Sequence, residues 1–249
     1  MSAIGRWLKR GVALLALLLT GPAVAAMSGM AHLSADWRTA SREPMGLAPD
    51  PATTEAAVLQ VYGARAFSWR GIFAVHTWIA TKRAGASSYR TYEVIGWRLY
   101  HGGRAVVVRE GPPDRRWYGA EPKLLLDRRG AGVSELIDKV ETAVLSYPYP
   151  DQYRAWPGPN SNTFTAWVGR SVPELRLDLP PTAVGKDYLG PTTFAAAAPS
   201  GSGFQLSLFG LVGMLAAVEE GLEINVLGLN LGIDPLDLSL RLPGVGRVP

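Results

Sequence analysis

The 249-residue sequence contains no cysteine and only three histidines. The absence of cysteine excludes disulfide bonds, a thiolate nucleophile and every cysteine-based metal site. The histidines form no pair at helical spacing and the acidic residues form no dense cluster, so the sequence predicts no metal site and no cofactor. We therefore expect any chemistry of this chain to depend on hydroxyl, imidazole, carboxylate and amide groups.

The chain also lacks a strong excess of charge, although its pI is about 9.4. Arg6, Lys9 and Arg10 stand in an N-terminal segment without acidic residues, and without them 22 basic residues face 21 acidic ones, a net charge of +1. A surplus this small gives no electrostatic footprint for DNA or RNA, so we expect no nucleic-acid partner. With 47% hydrophobic and 18% charged residues, the chain can build a core.

Residues 1–26 are predicted to be a signal peptide or an N-terminal anchor. A basic start precedes the apolar run 12–19, and small residues at 23–25 suit a signal peptidase. Two alternatives stay open, because the sequence remains fairly apolar to Leu33: cleavage, or retention as a membrane anchor. Either alternative predicts export, to the periplasm or to the inner membrane facing the periplasm. Residues 27–55 are polar and rich in proline, which predicts a linker.

Residues 56–190 are predicted to form the main domain. Four segments rich in β-branched and aromatic residues predict strands at 57–62, 72–82, 89–100 and 105–109, and their connections are too short for helical crossovers. They therefore form an antiparallel meander. Apolar residues recur at helical spacing from Val133 to Val144, with Ser134 as a plausible cap, and a further helix is predicted from Asn162 to about Val172. The prediction is an α+β fold in which the meander packs on two or three helices.

Residues 191–249 are predicted to form a Gly-rich β segment that packs on the main domain. Apolar residues alternate over 227–233 and 236–242, which predicts a C-terminal β-hairpin with one apolar face. The run 211–218 suits either a buried helix or a strand. Membrane association is a further alternative for this segment, although three glutamates between 219 and 223 interrupt its apolar run.

The most informative stretch is the loop 156–164. Proline and glycine interrupt the backbone just before Asn160, Ser161 and Asn162, which is how a loop delivers a polar side chain to a helix N-terminus. A helix start offers free N–H groups and a partial positive charge. Ser161 is therefore either a nucleophile or an N-cap. Asn160, Asn162 and the Ser161 backbone N–H are the candidate oxyanion donors.

His76 lies within a predicted strand among apolar residues, whereas His32 and His101 fall in the linker and in a turn. A histidine in that position is either a core residue satisfied by one hydrogen bond or a general base facing a cleft. A catalytic set would combine Ser161 as nucleophile with His76 as base, and Glu93 on a neighbouring strand would orient the imidazole.

Four further residues are candidates for binding. Trp78 and Trp156 either belong to the core or line a groove for a sugar or a peptide. Lys186 and Asp187 form either a solvated turn or a buried pair that braces the cleft, and we favour a structural role for this pair.

Six short blocks carry a family resemblance: 74–80, 93–97, 147–149, 156–164, 179–183 and 185–188. On these blocks the chain resembles an uncharacterised bacterial family of exported or membrane-associated proteins, a domain of unknown function. The resemblance extends from Asp36 to the C-terminus. It implies a place in the cell envelope and brings little function with it.

The run from Asn160 to Phe164 is also similar to the Asn-Cys-x-x-Phe-like motif of circularly permuted papain-like (NlpC-type) hydrolases and acyltransferases. This more distant resemblance implies a permuted papain-like core with Ser161 in the place of the nucleophile, His76 in that of the early histidine and Glu93 in the third polar position. The chain departs from the family in having serine where the family has cysteine. A hydroxyl is a poorer nucleophile than a thiolate, so the change implies either a serine hydrolase or a site that binds without cutting.

Two functions follow as alternatives. The first is an envelope hydrolase or acyltransferase that acts on an amide or ester, with peptidoglycan or lipid as the substrate. The second is a non-catalytic envelope protein that binds a small molecule or gives structural support at the membrane. The sequence names no substrate for either.

Overall fold

The computed structural model describes residues 3–249, with side chains from Gly5 onward; residues 1–2 of the predicted export segment lie outside the described residues. The first element is the helix α1 (Ala3–Met27). Its part from Gly5 to Met27 is long and apolar enough to cross a membrane, a property that a signal sequence shares. Both predicted roles of this segment, signal peptide and anchor, are therefore compatible with the helix.

The first sheet has five antiparallel strands in the spatial order β4-β3-β2-β1-β5. Its strands are β1 (Val58–Arg65), β2 (Val75–Lys82), β3 (Arg90–Val94), β4 (Val106–Glu110) and β5 (Lys123–Arg129). The first four strands form the predicted meander, and the α+β class is confirmed. The fifth strand was not predicted; it pairs with the other edge of β1.

Two strands are shorter than predicted, and both are shortened at the same end of the sheet. β2 begins at Val75 rather than at Ile72, because residues Ser68–Ile72 form a 3-10 helix. β3 ends at Val94, and Gly96–His101 form another 3-10 helix. The chain turns at Gly96, where a Cβ would overlap the ring of Tyr153. These breaks open the space between the start of β2 and the end of β3.

Two helices, α2 (Val133–Leu145) and α3 (Ser161–Ser171), pack on one face of the first sheet. Their apolar stripes and the inward residues of the strands form one hydrophobic core, which includes Leu59, Val61, Ile79, Tyr92, Ile137, Val140, Phe164 and Val168. α2 begins after Gly132, whose positive φ of 77° suits glycine. Ser134, the predicted cap of α2, is therefore a residue of the first turn.

The second sheet is a seven-stranded antiparallel meander in which every strand pairs with its neighbour in sequence. Its strands are β6 (Ala195–Ala197), β7 (Gly203–Leu208), β8 (Val212–Ala217), β9 (Gly221–Val226), β10 (Leu229–Asp234), β11 (Ser239–Leu242) and β12 (Gly246–Val248). The predicted C-terminal hairpin is β10–β11. The ambiguous run 211–218 contains a strand, β8.

Buried charges join the second sheet to the main domain. Lys186 Nζ lies 2.5 Å from Glu223 Oε2, and Arg241 donates to Glu223 at 2.5 Å and to Asp178 at 2.6 Å. Lys186 also contacts Asp187 at 3.2 Å. Glu223 and Arg241 project from adjacent parts of the second sheet toward the main domain, so this sheet turns a polar face inward.

We expect the substitution Lys186→Met to lower the free energy of unfolding by about 3–5 kcal/mol, because it removes the cation that contacts Asp187 and one of the two cations that contact Glu223. Arg104→Met is the matched control, since the Arg104–Asp151 pair is exposed on both sides; it should cost less than about 1 kcal/mol. Urea unfolding of both variants measures the difference. Equal losses would contradict the assignment of Lys186 to a buried network.

Candidate functional site

A cavity of about 640 Å³ lies at the end of the first sheet where β2 begins and β3 ends. Aromatic side chains line much of it, among them Phe67, Trp69, Phe73, Trp97, Trp117 and Trp156. The β9–β10 turn of the second sheet closes one side, and Trp156 Nε1 donates to the carbonyl of Leu227 in this turn at 2.9 Å. Cavities of this size and apolar lining commonly hold small organic ligands.

The helix α3 begins at this cavity, and Asn160 is its cap. Asn160 Oδ1 accepts the N–H groups of Asn162 at 2.9 Å and Thr163 at 3.1 Å, and Thr163 Oγ1 accepts the Asn160 N–H at 3.1 Å. This reciprocal arrangement is a capping box. The interpretation of Ser161 as the N-cap is therefore wrong; Ser161 is the first residue of the helix. Gly185, with φ of 101°, makes room, because a Cβ there would overlap the Asn160 amide.

Ser161 presents two groups that the helix does not use. Its side chain lines the cavity, and within residues 3–249 neither its hydroxyl nor its backbone N–H makes a hydrogen bond. The N–H belongs to the first turn of the helix, where the backbone donors have no intrahelical acceptor and the dipole is positive. The residue therefore combines a free hydroxyl with a free donor at a positive helix end.

The two flanking asparagines have no donor to spare. Asn160 Nδ2 donates to Ala155 O at 3.1 Å and Val184 O at 3.0 Å. Asn162 Nδ2 donates to Val75 O at 2.9 Å and to Val184 O at 2.8 Å. Because an amide carries only two N–H bonds, both side chains are fully engaged in holding the helix start. Of the predicted oxyanion donors, the Ser161 N–H is the one left free.

His76 lies in β2 and lines the same cavity. Its Nε2 is 3.1 Å from Glu93 Oε2, and its ring stacks on Trp117 with centroids 3.6 Å apart. An ionised carboxylate only accepts, so the proton resides on Nε2 and the neutral ring has Nδ1 as its acceptor. Within the described part of the chain, Nδ1 makes no hydrogen bond.

Glu93 is fully buried and is surrounded by cations. Its Oε1 accepts from Arg109 Nε at 2.9 Å and from Arg115 Nη2 at 2.7 Å. Burial alone would raise its pKa, but the hydrogen bond from His76 and the charges of Arg115 and Arg109 outweigh burial and lower the pKa to about 2. Glu93 therefore stays ionised, and its charge is shared among three neighbours.

Burial lowers the pKa of His76 from its ordinary value, and the nearby charges of Arg115 and Arg109 act in the same direction. The hydrogen bond to Glu93 and its negative charge only partly oppose this shift. His76 is therefore neutral at pH 7, which is the form that can accept a proton.

His76 and Ser161 reach the cavity from different sides. Successive residues of a strand point to opposite faces of the sheet, and Thr77 donates to Asn162 Oδ1 of α3 at 2.9 Å. The His76 side chain consequently leaves the sheet on the face away from α3, beside Trp78 and Trp117. No hydrogen bond joins His76 to Ser161 among the residues that the structure describes.

The remaining predicted residues are placed as follows. Trp156 lines the cavity. Trp78 does not line the cavity; it is stacked on Tyr62 and donates to the Pro113 carbonyl at 2.7 Å. Lys186 and Asp187 lie outside the lining, in the charged contact with the second sheet.

Sequence reasoning did not identify the arginines on Glu93 or the ring under His76. Arg109 belongs to β4, next to β3, so the strand order would have suggested it once the meander was drawn. Arg115 and Trp117 come from the irregular segment before β5, where no sequence periodicity indicates which way a side chain points. Across residues 3–249, no group of three or more His, Asp or Glu side chains is arranged to hold a metal ion.

A family model described as a protein of unknown function (DUF3750) matches residues 56–188, just over half of the chain. This match includes the whole first sheet and both helices that pack on it, and therefore the start of α3 at the cavity. No curated protein and no solved structure matches the chain.

We expect the stability of the protein to depend on His76 between about pH 7 and pH 5. A histidine in the unfolded chain titrates near pH 6.5, whereas the folded pKa is lowered. The unfolded state then binds more protons below pH 6.5, so stability falls as the pH is lowered. His76→Asn should remove this dependence and make the slope shallower by up to about 1.4 kcal/mol per pH unit.

The measurement is urea unfolding across that range, with His101→Asn as the control for loss of a solvent-exposed histidine. Glu93 contributes in a different window: its stabilisation is lost only as the pH falls from about 4.5 toward about 2. An unchanged slope in His76→Asn would show that the imidazole is not held neutral by the fold.

Proposed function

The chain belongs to the DUF3750 family of unknown function, and on that premise we propose that its cavity is the active site of a serine-dependent hydrolase or acyltransferase of the cell envelope. One observation carries the proposal. A neutral histidine held by a buried carboxylate and a helix-start serine with an unused hydroxyl line the same cavity. These are the parts of an activated nucleophile: the attacking group, its base and the group that orients the base.

In the proposed reaction, Ser161 Oγ attacks the carbonyl carbon of an ester or amide and its proton passes to His76 Nδ1. The carbonyl oxygen becomes an oxyanion, which the Ser161 N–H and the helix dipole stabilise. The bond to the leaving alcohol or amine then breaks, and His76 returns the proton to that group. Water or an acceptor alcohol attacks the acyl-serine, again giving its proton to His76, and Ser161 regains its hydrogen.

Glu93 orients the imidazole rather than taking the proton. The hydrogen bond from His76 and the charges of His76, Arg115 and Arg109 hold the pKa of Glu93 low, so the carboxylate stays ionised while His76 is protonated in the transition state. The proposed transfer requires Ser161 Oγ and His76 Nδ1 to lie within hydrogen-bond reach, directly or through one water, when substrate is bound, and catalytic hydrogen bonds often tighten only in that complex.

Two further features support this function. The order of parts, a strand histidine first and a helix-start nucleophile later, resembles that of the permuted papain-like hydrolases. The aromatic lining suits an acyl chain or another apolar group, so lipid is favoured as the substrate class over the sugar of peptidoglycan. α1 supplies export, as a signal peptide or as an anchor that leaves the domain in the periplasm.

A fluorophosphonate probe tests the nucleophile, because a reactive serine displaces fluoride and forms a stable Oγ–P bond. The wild-type chain should be labelled at Ser161. Ser161→Ala should take no label at that position, and His76→Ala should react at least about 100-fold more slowly. Ser171→Ala, at the other end of α3, is the matched control and should react like the wild type. Labelling retained in Ser161→Ala, or none in the folded wild type, would sink the proposal.

A second function, binding without catalysis, is favoured by one observation: His76 leaves β2 on the face opposite α3 and has no hydrogen bond to Ser161. In this alternative the cavity holds an apolar ligand, Asn160 and Asn162 only fix the helix start, and His76 with Glu93 supports the wall.

For a binding protein, we expect cis-parinaric acid to bind equally well to the wild type and to Ser161→Ala. Ala155→Trp should weaken binding about tenfold, a loss of about 1.4 kcal/mol, because the larger ring fills the lined space. Thr142→Trp, on the exposed side of α2, is the control. Fluorescence titration measures all four proteins, and equal affinity in Ala155→Trp would show that the probe binds elsewhere.

A further inference from the structure

The side of the second sheet that faces away from the main domain, hereafter the outer face, is apolar throughout β7–β11. The strand register aligns its side chains in rows across the sheet. One row consists of Phe204, Ala216, Leu222, Ile233 and Leu240. The next contains Leu206, Met214, Ile224 and Leu231. In these five strands, all of them described, no outer side chain is polar.

These side chains face solvent. About half of the surface of Phe204, Leu222 and Leu240 is exposed, and Ile224 is 45% exposed. β7 to β10 have six residues each, about 20 Å, and β11 has four, about 13 Å; at a spacing of about 4.8 Å the five strands cover an area on the order of 400 Å². An apolar patch of this size is comparable to the largest one on a typical monomer, and such patches are often functional.

The opposite side of the same strands is polar and buried. Gln205, Glu223 and Arg241 alternate with the outer residues and bond to the main domain, and Asn225 on the same side is buried. A sheet with one face in water normally turns its apolar side toward the core. This sheet has the reverse orientation, so its outer face is built for an apolar environment.

α1 is itself apolar, and its C-terminal part contacts the second sheet at the β11–β12 turn. Its Gly21 lies against the Pro243 carbonyl, and Pro22 lies against Gly244, both in the β11–β12 turn. Arg65 donates to the Gly244 carbonyl at 2.6 Å and fixes this turn on the main domain. The C-terminal part of the helix is therefore attached to the edge of the second sheet.

This attachment favours lipid over a second copy of the chain as the partner of the outer face. A helix of 25 residues is about 37 Å long, which exceeds the hydrocarbon thickness of a bilayer, about 30 Å. If α1 spans the membrane, its last turns leave the bilayer at the surface, and the second sheet must lie there too. The turns nearest α1 are apolar as well: Phe209, Leu211, Leu227 and Val245 lie at that end of the sheet.

We propose that the outer face lies in the lipid of the membrane that α1 crosses, so that helix and sheet hold the domain against the bilayer at two places. This inference goes beyond the function proposed for the cavity and does not depend on Ser161. It also places the cavity near the lipid surface, because the β9–β10 turn that closes it belongs to the same end of the sheet.

The absence of cysteine makes a direct test straightforward. Ile224→Cys in the outer face and Leu145→Cys at the end of α2 each introduce one thiol at an exposed apolar position, to be labelled with nitrobenzoxadiazole. The full chain is then reconstituted in phosphatidylethanolamine and phosphatidylglycerol vesicles. The label at 224 should gain emission, shift to the blue and be quenched by lipids carrying a doxyl group near the headgroup. The label at 145 should remain as in water.

Two outcomes would overturn the proposal. Reduction of the label at 224 by externally added dithionite, as fast as at 145, would show that the face stays in water although α1 is inserted. Protection from dithionite without doxyl quenching, together with self-quenching between labels, would show that a second copy covers the face. Leu206→Cys, in the neighbouring part of the face, repeats the measurement if the first variant fails to fold by circular dichroism.

Discussion

One backbone carbonyl, that of Val184, accepts hydrogen bonds from the side chains of both Asn160 and Asn162. These bonds fix the start of α3 against the loop that follows it, and the bond from Asn162 to Val75 fixes it to the first residue of β2. A helix start buried in this way needs a partner for every polar group. The exception is Ser161, whose hydroxyl and N–H are left for the cavity. The helix start at the cavity is therefore held by two asparagines whose side-chain donors are all engaged in doing so.

Two clusters of buried charge within residues 3–249 have different effects. Around Glu93, two arginines and a histidine share one carboxylate, and the result is a fixed imidazole in the wall of a cavity. Around Glu223, a lysine and an arginine join two layers of the protein. Since buried ion pairs contribute little net stability but cost much when broken, both clusters are better understood as specifying geometry. The first positions a ring, and the second fixes which face of a sheet turns inward.

The sequence was sufficient for the α+β class, for the meander and for the C-terminal hairpin, because alternation and short connections are local properties. It also paired Glu93 with His76 as a hypothesis, since neighbouring strands in a meander bring such residues together. It could not decide that Asn160 rather than Ser161 caps α3, because each of these residue types is a good cap. Nor could it decide which side of the second sheet faces inward. That choice depends on Lys186 and Asp178, which lie outside the sheet and give no periodic pattern.

The charged contact between the two layers also bears on the limits of the family domain. The match ends at residue 188, yet the ammonium of Lys186 finds its carboxylate at Glu223, 37 positions along the chain. A relative that keeps the matched segment but lacks this sheet would leave the lysine without its partner. Through evolution, positions 186 and 223 should therefore change together, and a lysine at the first without an acid at the second should be rare. Such a pattern in the relatives would mean that the unit under selection extends past the matched segment and includes the second sheet.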